Sequence, residues 1–499
     1  MIFIHKFTIQ YQKIFCLICG LLFGLIFAPV FFFPAIFCIS GLAYAISHAT
    51  NKKQAFTFGW IFGFGQFLTS LYWISIATLV YPKYWYVFPF ALLLIPAWLA
   101  IYIGILATCS WYFKCKRYYI VSFCVLWVIF EYLRSVLFTG FPWNLVAHAS
   151  AFSIELMQVV YLIGELGLSF ILCYVGCLGY FFLAKDYNQK FKLHLIISIF
   201  LICGAYIYGL IRLNENPTKL SDIKVRVVQP CIPQEDKFDI KQVIDHLLLH
   251  IKLSTDNLNA KANQAMIVIW PENAIMVPYS YIEQMFAKTN IMGNLTILSG
   301  GFSFDGGDSY VSLFALKGNG NKIFEYHKEH LVPFGEYIPL KNYLPTEFLG
   351  LTDIDYTAGQ NNHIFHLEKF NINIRPLVCY ESIFAREINR ENADVFINVT
   401  NDAWYQNSSG PYQHFHMNRF RVIENGVPII RSANNGISAI IDPVGKIVQY
   451  MPINSSGYFD GYIPLKIDNV TLNNDHRYLI MTILLSIVSL ITVIYPNKC

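Results

Sequence analysis

A chain of 499 residues in which 55% are hydrophobic and only 14% charged lacks the balance of a soluble enzyme. Length alone predicts about three domains, but the composition overrides that prior. A formal net charge of +4 is too small to imply nucleic acid, and no basic stripe with interleaved aromatics is present, so no nucleic-acid partner is expected. Apart from the final residue, Cys499, only Cys231 and Cys379 of the twelve cysteines lie in the polar part of the chain. That part holds no CxxC pair and no His/Cys cluster with zinc spacing, so a disulfide framework, a metal and a cofactor are not expected.

Residues 1–213 are predicted to form a transmembrane helical bundle of seven spans, at about 14–30, 33–49, 55–80, 87–113, 119–137, 157–184 and 194–212. Most reach the roughly 20 apolar residues that a helix needs to cross a bilayer core. The first two are short and meet around Pro29 and Pro34, which suits a tight hairpin. A cleaved signal peptide is excluded for the first run by the runs that follow and by the lack of a small-residue cleavage site. An eighth span is predicted at 478–495, giving about eight helices.

Lysine and arginine set the orientation. Lys6 and Lys13 precede span one, and Lys52 and Lys53 follow span two. Lys114, Lys116 and Arg117 follow span four, Lys185, Lys190 and Lys192 follow span six, and Lys498 follows span eight. The alternate loops carry little beyond Lys83 and Arg134. Eight spans put every basic cluster on one side, so both termini are predicted to be cytoplasmic and the polar segment to lie outside the cytoplasmic membrane. Within span five, Glu131 and Arg134 are three apart and can pair at membrane depth. A structural staple and a substrate role both fit that pair. The aromatic run from Phe138 to Trp143 suits an interfacial belt.

Residues 221–470 read as one polar domain. Strand-like runs recur at 223–230, 265–271, 295–303, 310–316, 322–327, 372–380, 394–400, 428–433 and 437–442, with helical patterns at 240–259, 383–392 and 411–425. This alternation predicts an α/β fold with strands buried on both faces.

Three strand-like runs end in chemistry. One carries Cys379 towards Glu381, one ends in Trp270-Pro271-Glu272, and one delivers Lys328 just before a turn that leads to Glu336. A thiol needs a base or a nearby cation to become a nucleophile. Glu272 can exchange that proton, more readily if burial raises its pKa, and Lys328 can donate to a developing oxyanion. Glu336 can hold the lysine in place. Each residue also has a bland reading: Cys379 as a core residue, Glu272 as a cap, Lys328 as a solvated charge, Glu336 as a turn carboxylate, and Glu381 as a partner of Arg375 or Arg386.

The order Glu272, Lys328, Cys379 resembles the triad of the nitrilase superfamily. The strings WPENA, HLVPFGEYIPL, VCYESIF, TNDAWY, GPYQH and RSANNGISAIID, joined to FEYLRSVLFTGFPWN in the apolar part, resemble the apolipoprotein N-acyltransferase family along nearly the whole chain. That resemblance implies a nitrilase-like αββα sandwich on a membrane bundle, facing the periplasm from the inner membrane of a Gram-negative-type bacterium. It also implies transfer of an acyl chain from a phospholipid, typically phosphatidylethanolamine, to the amine of a diacylglyceryl apolipoprotein. By the same likeness Cys379 would form the thioester, Glu272 would be general acid/base and Lys328 would stabilise the oxyanion. Glu336, Tyr380 and Glu381 would support them, while Phe238, Trp270 and Trp404 are candidates to line the substrate site. The chain departs from the family at Phe238, where a tryptophan is expected, and at Tyr405-Gln406, where Phe-Gly is more usual. Two rivals stay open. A membrane-bound amidase with the same triad would need no phospholipid, and a transporter or sensor with a lipid-binding outer domain would need no thiol.

Overall fold

The computed structural model describes residues 11–116, 118–186, 189–258, 265–289, 292–339, 341, 355–360, 364–388 and 392–468, with 479, 482 and 486. Apart from residues 479, 482 and 486, the predicted eighth span lies outside the described residues, as do residues 342–354 and 361–363. The chain divides into two compact units.

The first unit is helical. Its principal described helices are α1 (Gln12–Phe23), α2 (Cys38–His48), α3 (Lys52–Leu71), α4 (Phe88–Trp111), α5 (Tyr119–Val136), α6 (Val160–Gly176) and α7 (Gln189–Glu215). All seven apolar runs therefore form helix. Among the described residues four helical stretches are long and apolar enough to cross a membrane: Pro82–Trp111, Tyr119–Val136, Val160–Ala184 and Gln189–Glu215. A fifth is a pair, Lys52–Leu71 and Trp73–Leu79, bent by 51°. The first two runs make the shorter helices Gln12–Ile26 and Phe33–His48, joined by a tight reversal in which Phe32 N donates to Leu25 O at 3.0 Å. Small residues let these helices approach closely, as in membrane interfaces generally. A Cβ added at Gly20 would sit 2.1 Å from Phe62 O, and one at Gly59 would sit 2.4 Å from Ile103 O.

Glu131 and Arg134 turn out to serve the loop that follows them. Glu131 Oε1 accepts from Val146 N at 2.8 Å and from Trp127 Nε1 at 3.2 Å. Arg134 Nη1 donates to the carbonyls of Phe141 and Trp143, each at 2.7 Å. These bonds satisfy backbone groups that the break in helix leaves without helical partners.

The second unit holds two six-stranded sheets. The strands are β1 (Leu220–Gln229), β2 (Met266–Ile275), β3 (Leu295–Asp305), β4 (Asp308–Lys317), β5 (Lys322–His327), β6 (Phe365–Leu367), β7 (Ile372–Val378), β8 (Val395–Thr400), β9 (Ile429–Ala433), β10 (Ser438–Ile441), β11 (Ile447–Met451) and β12 (Gly457–Pro464). One sheet has the order β12-β1-β2-β3-β4-β5 and the other β11-β10-β9-β8-β7-β6. The central strands β1, β2 and β3 run parallel, as do β7, β8 and β9. Antiparallel hairpins and β12 extend them outwards. Val227, Ile269, Leu313, Ile374, Ile397 and Ile440 pack in one core shared by the two sheets. A second core, with Val268, Trp270, Ile282, Phe286 and Ile297, lies under α8 (Val243–Thr255) and α9 (Tyr279–Thr289). Among the described residues 383–388 the predicted helix over 383–392 does not form: Cys379–Ile383 is a 3-10 turn, and Phe384 is extended (φ −89°, ψ 93°).

Helix α10 (Ser409–Asn425) is polar in sequence, yet Ser408–Glu424 groups by its contacts with the helical unit. Gln413 is the reason at one end. Its Oε1 accepts from Trp143 Nε1 at 2.9 Å and Trp73 Nε1 at 3.1 Å, and its Nε2 donates to Ala28 O at 3.1 Å and Ser70 O at 3.2 Å. Further along, Arg421 pairs with Glu165, which also meets His148 at 2.9 Å. Polar side chains here join apolar helices by satisfying their buried groups.

The glycine contacts predict a specific sensitivity. Gly59→Val drives a side chain into the α4 backbone, and thermal unfolding in detergent should show a loss of about 1–3 kcal/mol. Gly204→Val, where nothing lies within 4 Å of the added Cβ, should leave the midpoint unchanged.

Candidate active site

The functional side chains stand where strands end. β7 finishes at Val378, and Cys379 follows with φ +51°. A left-handed conformation costs a non-glycine residue about 1–3 kcal/mol unless its surroundings enforce it. Here Glu381, two residues on, reaches back so that Oε2 accepts from Val378 N at 2.6 Å. Its Oε1 accepts from Tyr326 Oη and Glu329 N, both at 2.7 Å, and from His330 N at 3.3 Å. No ion pair between Glu381 and Arg375 or Arg386 forms among the described residues. Glu381 is thus a fastener: it ties the end of β5 to the end of β7. Ser382 Oγ adds a bond to Cys379 O at 3.0 Å.

Glu272 lies in β2 at a break in pairing. β2 and β3 are in register up to Trp270 opposite Ser299 and resume at Ile275 opposite Gly301. Pro271 and Asn273 (φ +54°) kink the strand there. Gly300 allows the close approach, since a Cβ on it would meet Glu272 Cα at 2.5 Å. The freed Glu272 carbonyl accepts from Lys237 Nζ at 2.8 Å.

Lys328 follows β5 directly. Its backbone is fixed by Lys328 N donating to Val311 O and Gly359 N donating to Lys328 O, both at 2.8 Å. Nζ lies 2.7 Å from Glu336 Oε1 and 3.9 Å from Glu272 Oε1. Glu336 is itself held, with Oε2 accepting from Val332 N at 2.8 Å. The intervening turn contains Phe334 at φ 62°. The Glu272 carboxylate and the Lys328 ammonium both act on the thiol electrostatically, and its sulfur accepts from Thr400 Oγ1 at 3.2 Å. Glu272, Lys328 and Cys379 therefore meet, with Glu336 and Glu381 behind them.

Electrostatics define the resting state. Burial pushes the Cys379 thiol well above its ordinary pKa, and the Glu272 charge pushes it further, with Lys328 opposing. Burial likewise raises Glu272, and Glu336 adds to that rise, while Lys328, the thiol and Lys237 pull it back. Burial works to deprotonate Lys328, but Glu336 and then Glu272 outweigh it and keep the ammonium charged. The site holds a protonated thiol next to a carboxylate of raised basicity, with a fixed cation beside both.

The remaining candidates divide. Tyr380 is buried, edge-on to Phe384 with ring centres 5.0 Å apart. Phe238 is 41% exposed and starts an aromatic row, 6.4 Å from Phe302, which stacks on Tyr356 at 5.5 Å. Trp404 is half-buried in the turn Asp402–Tyr405. Trp270 is not brought to the site: it is fully buried under α8, where Nε1 donates to Ser254 Oγ at 2.7 Å. Burial of Glu272 therefore does not depend on that indole. Three groups escaped the sequence reading. They are Lys237, Thr400 and the buried Arg431–Asp402 pair at 2.6 Å, which backs the turn beside Cys379. TNDAWY contains Thr400 and Asp402, while a lysine among polar neighbours such as Lys237 reads as a surface charge. Among the described residues no group of three or more His, Cys, Asp or Glu is arranged to hold a metal ion.

A sheet domain with these strand-end residues, joined to apolar helices, matches two family models. Residues 224–466 match carbon-nitrogen hydrolase and residues 19–178 match the apolipoprotein N-acyltransferase N-terminal domain. Proteins named apolipoprotein N-acyltransferase are similar along the chain. The one from Rickettsia prowazekii is 45% identical, covering 97% of this chain and 98% of its own, and the one from Rickettsia bellii is 44% identical with the same coverage. A relative from Brucella melitensis is 33% identical, covering 81% of this chain and 79% of its own. The class is a nitrilase-like enzyme domain on an apolar helical unit that marks a membrane protein. The chain belongs to the apolipoprotein N-acyltransferase family.

The Glu381 fastener is open to test. Glu381→Gln turns at least one of its accepting oxygens into an NH2 facing an N–H or O–H donor. Unfolding measurements should show a loss of about 1–3 kcal/mol.

Proposed function

We propose that the protein transfers a fatty acyl chain from a membrane phospholipid, typically phosphatidylethanolamine, to the N-terminal amine of a diacylglyceryl apolipoprotein. The convergence of the Cys379 thiol, the Glu272 carboxylate and the Lys328 ammonium, in a chain of this family, carries the reading. In the first half-reaction Glu272 takes the thiol proton as sulfur attacks the ester carbonyl. Lys328 stabilises the oxyanion. The ester C–O bond breaks, Glu272 returns the proton to the departing lysophospholipid oxygen, and a thioester remains on Cys379. In the second, the acceptor amine attacks the thioester carbonyl, Glu272 takes a proton from the attacking nitrogen, the C–S bond breaks, and Glu272 returns the proton to the departing sulfur, leaving an amide and the restored thiol. Two large lipidic substrates served in turn by one covalent intermediate give ping-pong kinetics.

In this reading Glu336 holds Lys328, Glu381 and Tyr380 shape the thiol end, and Phe238 with Trp404 lines the substrate approach. Residues 1–213 would carry seven spans and 478–495 the eighth. The domain at 221–470 would face the periplasm from the inner membrane, with both termini cytoplasmic. The one-sided distribution of lysine and arginine supports that orientation.

Mass spectrometry of the full-length protein after incubation with phospholipid vesicles should find one acyl adduct on Cys379, with release of lysophospholipid. Cys379→Ser should lose the adduct while remaining folded, and Glu272→Gln should slow its formation by at least about 10²-fold. Hydrolysis of small amides with no adduct from phospholipid would favour the amidase instead.

A further inference from the structure

Lys237 is a buried amine for which the acyl-transfer steps have no task. It closes the short turn Gln234–Lys237, in a segment pinned from other directions. Ile232 N donates to Asn434 Oδ1 at 3.2 Å, Asn434 Nδ2 donates to Ile232 O at 2.8 Å, and Asn401 Nδ2 donates to Gln234 Oε1 at 2.7 Å. Only 2% of Lys237 is exposed. Its Nζ reaches the Glu272 carbonyl that the lapse in β2–β3 pairing leaves open, and among the described residues no carboxylate lies within ion-pairing distance of it.

A carbonyl needs only a neutral donor. Glutamine would supply one at much lower desolvation cost, because an ammonium without a carboxylate partner is expensive to bury. What lysine adds is a charge, and that charge faces Glu272 and Cys379.

We infer that Lys237 is a positioning residue for Glu272 in the acyl transfer proposed above, its ammonium fixing the Glu272 backbone and favouring the ionised carboxylate that takes the thiol proton. The inference rests on that reading of the site. Burial draws the Lys237 pKa down to about 7, with Glu272 and Cys379 resisting, so the charge is present below neutrality and fades above it. The other groups facing Lys237 are His246 and His250 of α8. Burial lowers both, His250 to about 3, so neither is charged near neutrality. Around Glu272, Lys328 remains cationic, Glu336 is the second carboxylate, and the hydroxyls of Tyr356 and Tyr405 are raised by burial and stay protonated. Removing the Lys237 charge therefore makes Glu272 more basic, and a more acidic solution no longer leaves it ionised.

The test is the pH profile of acyl-adduct formation on Cys379, with full-length protein and phospholipid vesicles. K237Q keeps a donor for the carbonyl but no charge. Its acid limb should move up by about one pH unit, slowing the reaction about tenfold on that limb. K237M, neutral and without a donor, should show the same displacement, whereas K237R should keep the wild-type limb. Near neutrality K237Q should also melt no lower than wild type, since it no longer buries an amine. An unmoved limb in whichever neutral variant folds would overturn the inference and leave Lys237 a structural donor. Failure of the wild-type protein to form any adduct would instead remove the acyl-transfer reading itself.

Discussion

The buried ammonium of Lys328 is the constraint from which the site follows. An uncompensated cation in that environment costs several kcal/mol, so its neighbours must bring negative charge and hold it still. Glu336 does so at 2.7 Å and Glu272 at 3.9 Å. Glu336 can reach because the turn after β5 folds back on itself, and Glu272 can because β2 leaves its ladder at that point. Burial raises the proton affinity of the thiol, and Glu272 and then Asp402 add to it, so Cys379 rests protonated. A thiol held in its protonated form needs a base at hand before it can act as a nucleophile.

Strain sits where this chemistry sits. Cys379 itself, Asn273 beside Glu272 and Phe334 in the Glu336 turn are all non-glycine residues at positive φ. Each is held by nearby bonds: Glu381 across to β5, Lys237 to the Glu272 carbonyl, and Glu336 back to Val332 N within its own turn. Backbone strain persists only where such bonds over-determine it. The rigid strand ends thereby present a fixed constellation, which is what catalysis by positioning demands.

Period and chemistry make some of this legible in the sequence and hide the rest. The nine strand-like runs are apolar and β-branched enough to announce themselves, and all nine form strands. β11 is missed because it is largely exposed, β6 because it has three residues, and β12 because glycines interrupt its pattern. α9, Tyr279–Thr289, is missed although it is legible: Tyr279, Ile282, Met285 and Phe286 recur at helical spacing and pack on one core. Glu272, Lys328 and Cys379 are visible as charged or nucleophilic residues ending apolar runs. Lys237 is not, because nothing local distinguishes a lysine that will be buried from one that will be solvated. Trp270 errs in the opposite direction: nearness to Glu272 suggests the site, but the register shift after Trp270 leaves the indole in the core under α8 and Glu272 beside Lys328. α10 misleads for a related reason, since its polar residues bond to buried groups of the helical unit instead of to water.

Stability alone does not account for so many buried charges. Replacing buried ion pairs by well-packed apolar residues is often neutral or favourable, and the core between the sheets is otherwise valine, isoleucine and leucine. Arg226 and Asp442 are buried elsewhere in the unit, but Glu272, Lys328 and Asp402 gather around Cys379, in the pairing break of β2 and just past the ends of β5, β7 and β8. Loops beyond the carboxyl ends of parallel strands are where α/β sheets receive ligands. A fold that needed these charges only for packing would have no reason to collect them there, and none to leave a protonated thiol among them. The arrangement has the features of a reaction site: a nucleophile that is inert until its base is engaged, and a cation already in place for the charge that attack creates.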